Sequence, residues 1–93
     1  MYPKETSIMY KWNVGDIVEF IPGNYLYEGY NSRHWLEGAG LILAIEDGHY
    51  VVQTYNLVKT STKNLSTYDI GSTIIRLPAK ECDKAECFRS LEY

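Results

Sequence analysis

The chain has 93 residues, of which 45% are hydrophobic and 23% charged, and its formal net charge at pH 7 is −3. This length fits one domain, and the composition is too apolar for a disordered chain. The longest purely apolar run, Leu41 to Ile45, is far shorter than the roughly 20 residues of a membrane-spanning helix, so we expect no membrane partner. The acidic balance disfavours a protein that binds nucleic acid through a basic stripe.

Residues 1–9 contain Pro3 and polar residues without periodicity, which predicts a flexible arm. They include the acid Glu5 and lead into no long apolar segment, unlike a secretory signal, so we expect a cytoplasmic location. The organisation expected for residues 1–93 is therefore a single domain, with a β-barrel over 10–78 and a helical tail over 79–93.

The first strand is predicted at Val14 to Ile21, a β-branched and aromatic run that Pro22 ends. From Pro22 to Gly38 no regular apolar period is present, which predicts a long loop. Loops of more than about 12 to 15 residues are often functional. The candidate binding residues are the aromatic residues of this loop with two neighbours: Tyr25, Tyr27, Tyr30, Arg33, His34 and Trp35.

Two functions are open for the rings of this aromatic loop. Tyrosine and tryptophan give a large contact area at a small entropic cost, and protein interfaces are enriched in them. Alternatively, two or three of the rings fold over one end of the barrel and complete the core of a domain this small. Both functions can hold for different rings.

A β-hairpin is predicted at Asp47-Gly48, because this pair tolerates the positive φ angles of a two-residue type I′ turn. Such a turn pairs Glu46 with His49, Ile45 with Tyr50, Leu43 with Val52 and Leu41 with Thr54. The predicted core face consists of Leu41, Leu43, Ile45, Tyr50 and Val52. The opposite face is half apolar, which predicts that another element or a partner covers it, and it carries Ile42, Ala44, Val51 and Tyr55 beside Glu46, His49 and Gln53.

The C-terminal half continues with predicted strands at Thr67 to Ile70 and Ser72 to Leu77, and Pro78 ends the pairing. From Ala79 the chain changes character: Pro78 suits the first helical position, and Ala85, Phe88 and Leu91 recur every third residue, which predicts a short amphipathic helix packed on the barrel.

Cys82 and Cys87 lack the spacing of a zinc knuckle or a redox pair. In a continuous helix their Cα atoms would lie roughly 8 to 9 Å apart, too far for a disulfide. We therefore expect two reduced thiols.

The segment Val14-Gly15-Asp16-Ile17-Val18, the aromatic loop, and the run from Gly38-Ala39-Gly40 into the Asp47-Gly48 hairpin resemble the order found in SH3-like barrels of the KOW and Tudor kind. The resemblance covers Val14 to Leu77 and implies a mainly β fold. The expected fold is a small antiparallel SH3-like barrel of about five strands with a short C-terminal helix. In such barrels the loop after the first strand often lines the ligand groove. A second resemblance is to SH3-like ribonuclease toxins, which carry an Arg-Pro pair where this chain has Gly38-Ala39-Gly40.

No pattern predicts catalysis. His34 and His49 are the only histidines, and the chain contains no phosphate-binding loop, nucleophile elbow or metal-ligand spacing. We therefore expect no catalytic residue, no metal site and no cofactor. The leading hypothesis is a non-enzymatic protein-interaction module that binds another protein through the aromatic loop and the half-apolar hairpin face. By analogy, small tyrosine-rich domains of this kind are often accessory or inhibitory proteins of bacteria and phages.

Three alternatives stay open. The first is a barrel that binds single-stranded nucleic acid by stacking rings on bases, with phosphate contacts from Lys59, Lys63, Arg76 and Lys80. The second is a homodimer that forms through an open barrel edge or the C-terminal tail. The third, a minor one, is a ribonuclease-toxin-like barrel.

Overall fold

The computed structural model describes residues 10–22, 26–28, 32–61 and 64–91, with the backbone alone at 26–28 and 32–34. This part of the chain forms seven strands and one helix. They are β1 (Ile17–Phe20), β2 (Leu26–Glu28), β3 (Ser32–Glu46), β4 (His49–Ser61), β5 (Thr67–Gly71), β6 (Ile74–Pro78), α1 (Ala79–Ala85) and β7 (Phe88–Ser90). The predicted arm over residues 1–9 lies outside the described residues.

All the strands belong to one antiparallel sheet with the order β5-β4-β3-β1-β7, while β2 pairs with β3 and β6 with β4. The predicted mainly β, antiparallel fold with a short helix is therefore confirmed. In the described part of the chain the sheet has seven strands, not about five. Within the described residues the order begins at β5 and ends at β7, so the sheet is not closed into a barrel.

The predicted hairpin is present. Asp47 and Gly48 have φ angles of 50° and 74°, as a type I′ turn requires. Glu46 pairs with His49 and Ile45 with Tyr50, as expected. Because this turn is local, its two residues are enough to specify it.

Beyond Ile45 the predicted register is wrong. A β-bulge makes Leu43 and Ala44 together oppose Val51, so the partner of Val52 is Ile42 and not Leu43. Ile42 is 1% exposed and Leu43 is 40% exposed. A bulge adds one residue to one strand and thereby reverses which alternate residues face the core. Leu43 therefore leaves the predicted core face, and Ile42 replaces it.

The core lies on the inner face of the sheet and is covered in part by α1. Phe88 contacts three aromatic rings, with centroid distances of 5.0 Å to Phe20, 5.8 Å to Trp12 and 5.9 Å to Tyr50. Aromatic pairs tilted in this way are favourable beyond the area they bury. The other buried apolar residues are Val18, Leu36, Ile42, Val52, Leu57, Leu77, Ala79, Cys82 and Cys87.

The sheet has an irregularity at the same level in three neighbouring strands. Gly38 in β3, Asn56 in β4 and Gly71 in β5 have positive φ angles of 126°, 54° and 82°. The β3–β4 and β4–β5 registers both shift at this level. Because bulges bend the strands that contain them, we call this level the bend. It separates the core half of the sheet from a distal half, in which β5 pairs with the end of β4.

The helix ends earlier than the sequence predicted. α1 stops at Ala85, and Glu86 takes a left-handed conformation with φ 53°. The chain then reverses, so Phe88 lies in β7 beside Phe20 of β1. The tail is therefore a short helix followed by a strand.

The same reversal corrects the prediction of two reduced thiols. Cys82 and Cys87 form a disulfide with a Cα–Cα distance of 5.5 Å. The predicted separation of their Cα atoms assumed a continuous helix. The left-handed residue between them brings the two cysteines within bonding range.

The prediction of a long loop from Pro22 to Gly38 is also wrong. Residues 26–28 form β2 and residues 32–38 belong to β3, with Tyr27 opposite Arg33 and Leu26 opposite His34. The same part of β3 pairs with the end of β4, where Trp35 lies opposite Thr60. These strands depend on pairing between distant segments, which the irregular apolar pattern of this stretch does not reveal.

Candidate protein-interaction surface

The face of the sheet opposite the core carries a row of four paired residues, three of them apolar, across four strands. Ile17 pairs with Leu41, Leu41 with Gln53, and Gln53 with Ile74. Directly opposed residues lie on the same side of a sheet. Ile17 and Ile74, at the two ends of this row, are 53% and 57% exposed.

Neighbouring positions widen this row. On one side, Tyr55 lies opposite Ala39 and is 45% exposed. On the other, the bulged Leu43 and its neighbour Ala44 both oppose Val51. We define the outer patch as the apolar residues of these positions: Ile17, Leu41, Leu43, Ala44, Val51, Tyr55 and Ile74.

Two exposed ion pairs lie at the border of the outer patch. Arg89 Nη2 is 2.9 Å from Glu19 Oε1 across β7 and β1, and Arg76 Nη1 is 3.3 Å from Glu46 Oε1 across β6 and β3. Exposed pairs of this kind contribute about 0 to 1 kcal/mol to stability. Their more important effect here is that charge is balanced at both ends of the patch.

The structure describes the predicted binding residues unevenly. Tyr25 and Tyr30 lie outside the described residues. Tyr27 lies in β2, and Arg33 and His34 lie in β3, but only their backbone is described. The proposed contacts of these five side chains therefore stay predictions.

Trp35 is the predicted binding residue whose side chain is described, and it is half-buried. Along β3 it is separated from Glu37, Ala39 and Leu41 by even numbers of residues. Because alternate residues of a strand point to the same side, Trp35 lies on the side of the sheet that carries the outer patch. One side of β3 thus joins part of the predicted aromatic segment to the half-apolar hairpin face.

Sequence reasoning found Ala44, Val51 and Tyr55 but missed Ile17, Leu41, Leu43 and Ile74. The alternation in β1 is a usable signal, since Val18 and Phe20 are buried while Ile17 is exposed. The positions of Leu41 and Leu43 depend on the bulge. In the run from Leu41 to Ile45 every residue is apolar, so its pattern does not indicate which residues face outward.

A partly buried polar network holds α1 against the core. The Tyr50 hydroxyl lies 2.8 and 3.0 Å from the two carboxylate oxygens of Asp83 and accepts a hydrogen bond from the Trp12 N–H at 3.2 Å. The Lys11 N–H donates to Asp83 at 3.2 Å. Burial, together with the hydrogen bond to Asp83, raises the pKa of Tyr50 far above its usual range. This hydroxyl therefore stays protonated and acts as a structural donor.

Comparisons with protein-family models, with curated proteins and with solved structures find no match. In the described part of the chain no helix is long and apolar enough to cross a membrane. Within the same residues, no group of three or more His, Cys, Asp or Glu side chains is arranged to hold a metal ion.

Proposed function

We propose that this chain is a non-enzymatic protein-interaction module that binds another protein through the outer patch. The observation that carries this proposal is the row of Ile17, Leu41, Gln53 and Ile74 across four strands, in which three residues are apolar and the two isoleucines at its ends are more than half exposed. Contiguous apolar surface on a small domain often marks a site of protein contact. Burying the exposed half of each isoleucine would contribute about 1 kcal/mol to binding.

Two aromatic residues add to the proposed surface. Tyr55 belongs to the outer patch, and Trp35 lies farther along the same side of β3. Tyrosine and tryptophan are over-represented among the residues that dominate binding energy. The partner we propose therefore contacts both the hairpin face and the aromatic segment near Trp35. We propose that the chain itself has an accessory or inhibitory role in a bacterium or phage.

Capture experiments with single-residue variants test this proposal. The tagged chain and its variants Ile17→Lys and Ile74→Lys are used to capture proteins from an extract of the cells that produce it. Leu65→Lys is the matched control, because Leu65 is 66% exposed and lies in the turn between β4 and β5. We expect a protein that is captured by the wild type and by Leu65→Lys and is lost with both patch variants.

One outcome of the capture experiment would contradict the proposal. If the captured proteins are the same for the wild type and both patch variants, the outer patch is not the binding surface. Circular dichroism of each variant excludes loss of folding as the cause. Tight binding to single-stranded DNA or RNA that weakens steeply with salt would favour the nucleic-acid alternative instead.

We also propose that the open sheet is a version of the SH3-like barrel. Two features support this proposal: the C-terminal strand β7 pairs with β1, and the neighbouring strands β3, β4 and β5 bend at Gly38, Asn56 and Gly71. Interstrand contacts between β5 and β7 in nuclear Overhauser spectra would demonstrate closure. Their absence would leave an open, bent sheet.

The cytoplasmic location stays a prediction. The Cys82–Cys87 disulfide bears on it, because such bonds are rare in a reducing cytosol and common in oxidising compartments. Rapid alkylation of the protein in its native cells, followed by mass spectrometry, would measure the two thiols directly. Free thiols would support a cytoplasmic location, and a bonded pair would oppose it.

A further inference from the structure

An open cavity lies where the Asp47-Gly48 turn meets the start of α1. The Ala79 N–H donates a hydrogen bond to the Gly48 carbonyl oxygen at 2.8 Å, which holds the helix against the turn. The cavity has a volume of about 430 Å³, within the range of roughly 300 to 1,000 Å³ that is typical of sites for small molecules. The described residues that line it are Tyr10, Gly48, Lys80 and Asp83.

The lining carries one base and one acid. Lys80 and Asp83 are three residues apart in α1, so they lie on the same side of the helix, with Cβ atoms about 5 to 6 Å apart. Lys80 is exposed, and among the described residues it forms no ion pair. The two residues therefore offer separate positive and negative groups whose charges sum to zero.

Asp83 retains the capacity to bind a further donor. Its carboxylate accepts hydrogen bonds from the Tyr50 hydroxyl at 2.8 Å and from the Lys11 N–H at 3.2 Å. A carboxylate has about four acceptor positions, so these two donors do not saturate it. Because the same bonds hold the carboxylate in place, it is already oriented before a ligand arrives, which lowers the cost of binding.

Tyr10 adds an aromatic residue to the lining. It is half-buried, and its ring centroid lies 6.1 Å from that of Tyr50, with an angle of 65° between the two ring planes. Aromatic rings favour edge-on or offset packing of this kind, which a ligand ring can extend. The cavity thus combines an aromatic residue with a base and an acid on one side of a helix.

We propose that this cavity binds a free aromatic amino acid as its zwitterion, with the carboxylate at Lys80, the ammonium at Asp83 and the ring against Tyr10. A ligand without net charge suits a lining whose charges cancel. A nucleotide phosphate, with about two negative charges, would meet a single base and would be repelled by Asp83. A simple aromatic acid or amine would engage only one of the two charged residues.

This inference goes beyond the proposed function, which concerns the outer patch. None of the four described lining residues belongs to that patch. Ile17→Lys and Ile74→Lys should therefore leave amino-acid binding unchanged, and failure of either proposal leaves the other standing.

Titration of the isotope-labelled chain with L-phenylalanine, followed by amide chemical shifts, tests this inference. We expect saturable shifts at Gly48, Lys80 and Asp83, with a dissociation constant on the order of 1 mM, as is usual for a ligand of this size. Three comparison ligands each lack one group: 3-phenylpropionate lacks the ammonium, phenethylamine lacks the carboxylate and L-alanine lacks the ring. Each should bind at least about fivefold more weakly, because a charge-assisted hydrogen bond or the ring contact is lost.

Variants test the same contacts from the side of the protein. Lys80→Glu should weaken binding of L-phenylalanine at least about fivefold, because attraction for the carboxylate becomes repulsion. Lys84→Glu is the matched control, since Lys84 is exposed in the last turn of α1, is not a lining residue and undergoes the same change of charge. It should alter the affinity less than about twofold.

The aromatic contact has its own pair of variants. Tyr10→Leu should weaken binding at least about threefold, whereas Tyr10→Phe, which keeps the ring, should retain the affinity of the wild type. Circular dichroism of each variant verifies that it is folded. The comparison with 3-phenylpropionate tests Asp83 without altering the carboxylate that holds α1.

Four results would overturn the inference. The first is the absence of saturable shifts at tens of millimolar L-phenylalanine. The second is equal affinity for L-phenylalanine, 3-phenylpropionate and phenethylamine, which would show that the charged groups are not used. The third is equal weakening by Lys80→Glu and Lys84→Glu, which would show a general charge effect. The fourth is tighter binding of adenosine monophosphate than of L-phenylalanine, which would identify the cavity as a nucleotide site.

Discussion

Gly38 and Asn56 face each other across the long hairpin so closely that a side chain at residue 38 has no space. A Cβ atom on Gly38 would lie 2.8 Å from the Asn56 carbonyl oxygen and 2.9 Å from that of Tyr55. Gly38 also has a φ angle of 126°, a conformation essentially restricted to glycine. The bend that separates the core half of the sheet from the distal half therefore requires glycine at this position.

Substitution of Gly38 should be costly for this reason. Gly38→Ala should lower the free energy of unfolding by roughly 3 kcal/mol, through backbone strain and a clash with two carbonyl oxygens. Gly48→Ala is the control, because Gly48 has a φ angle of 74° but a Cβ atom there would meet no other atom within 4 Å. This substitution should lower the free energy of unfolding by about 1 kcal/mol. Urea unfolding of both variants measures the difference, and equal costs would contradict the close packing at the bend.

The bulge at Leu43 predicts that truncating Ile42 lowers stability more than truncating its neighbour Leu43. Ile42→Ala should lower the free energy of unfolding by roughly 3 kcal/mol, because the side chain is 1% exposed and its loss leaves a cavity. Leu43→Ala should cost less than about 1 kcal/mol, since Leu43 is 40% exposed and already meets water. Chemical denaturation of the two variants compares them. The reverse ranking would restore the regular register, in which Leu43 pairs with Val52.

The Cys82–Cys87 disulfide should stabilise the reversal between α1 and β7. Closing so short a loop is expected to contribute about 2 kcal/mol, chiefly by restricting the unfolded chain. The free energy of unfolding should therefore fall by about this amount in a reducing buffer, while a Cys82→Ala/Cys87→Ala variant should not respond to reductant. Free thiols in the unreduced, denatured wild type would show that the bond is not formed.

The hydroxyl of Tyr50 should make stability fall at alkaline pH. Its pKa in the folded protein is raised above the ordinary value of about 10, so the folded state retains a proton that the unfolded state loses. This contribution is complete below about pH 10 and decreases above it, by about 1.4 kcal/mol per pH unit, until the pH reaches the folded-state pKa.

Comparison with Tyr50→Phe isolates this contribution, because the other titrating groups cancel between the two proteins. At pH 8 the variant should be less stable by about 1 to 3 kcal/mol, since Asp83 and the Trp12 N–H each lose a partner. The difference should shrink between pH 10 and 11 when urea unfolding is measured at each pH. A difference that is constant over this range would contradict the raised pKa.

Strand positions could be predicted wherever the chemistry is local. Asp47-Gly48 specifies its turn because both residues tolerate positive φ. β1 lies inside its predicted β-rich run, and β5 and β6 overlap theirs and extend one residue farther, to Gly71 and Pro78. The outward position of Ala44, Val51 and Tyr55 followed from the same local turn, whereas that of Leu41 and Leu43 did not.

The remaining features needed contacts between distant segments. The sequence by itself determined the mainly β class, the turn at Asp47-Gly48 and the end of pairing at Pro78, because turn and strand preferences act within a few residues. Only the tertiary structure decided the bulge at Leu43, since an all-apolar run can bury either set of alternate residues and packing selects one. It also decided the pairing of β2 with β3, the union of Ile17 and Ile74 in one row, and the disulfide, because each depends on where separate segments meet in space.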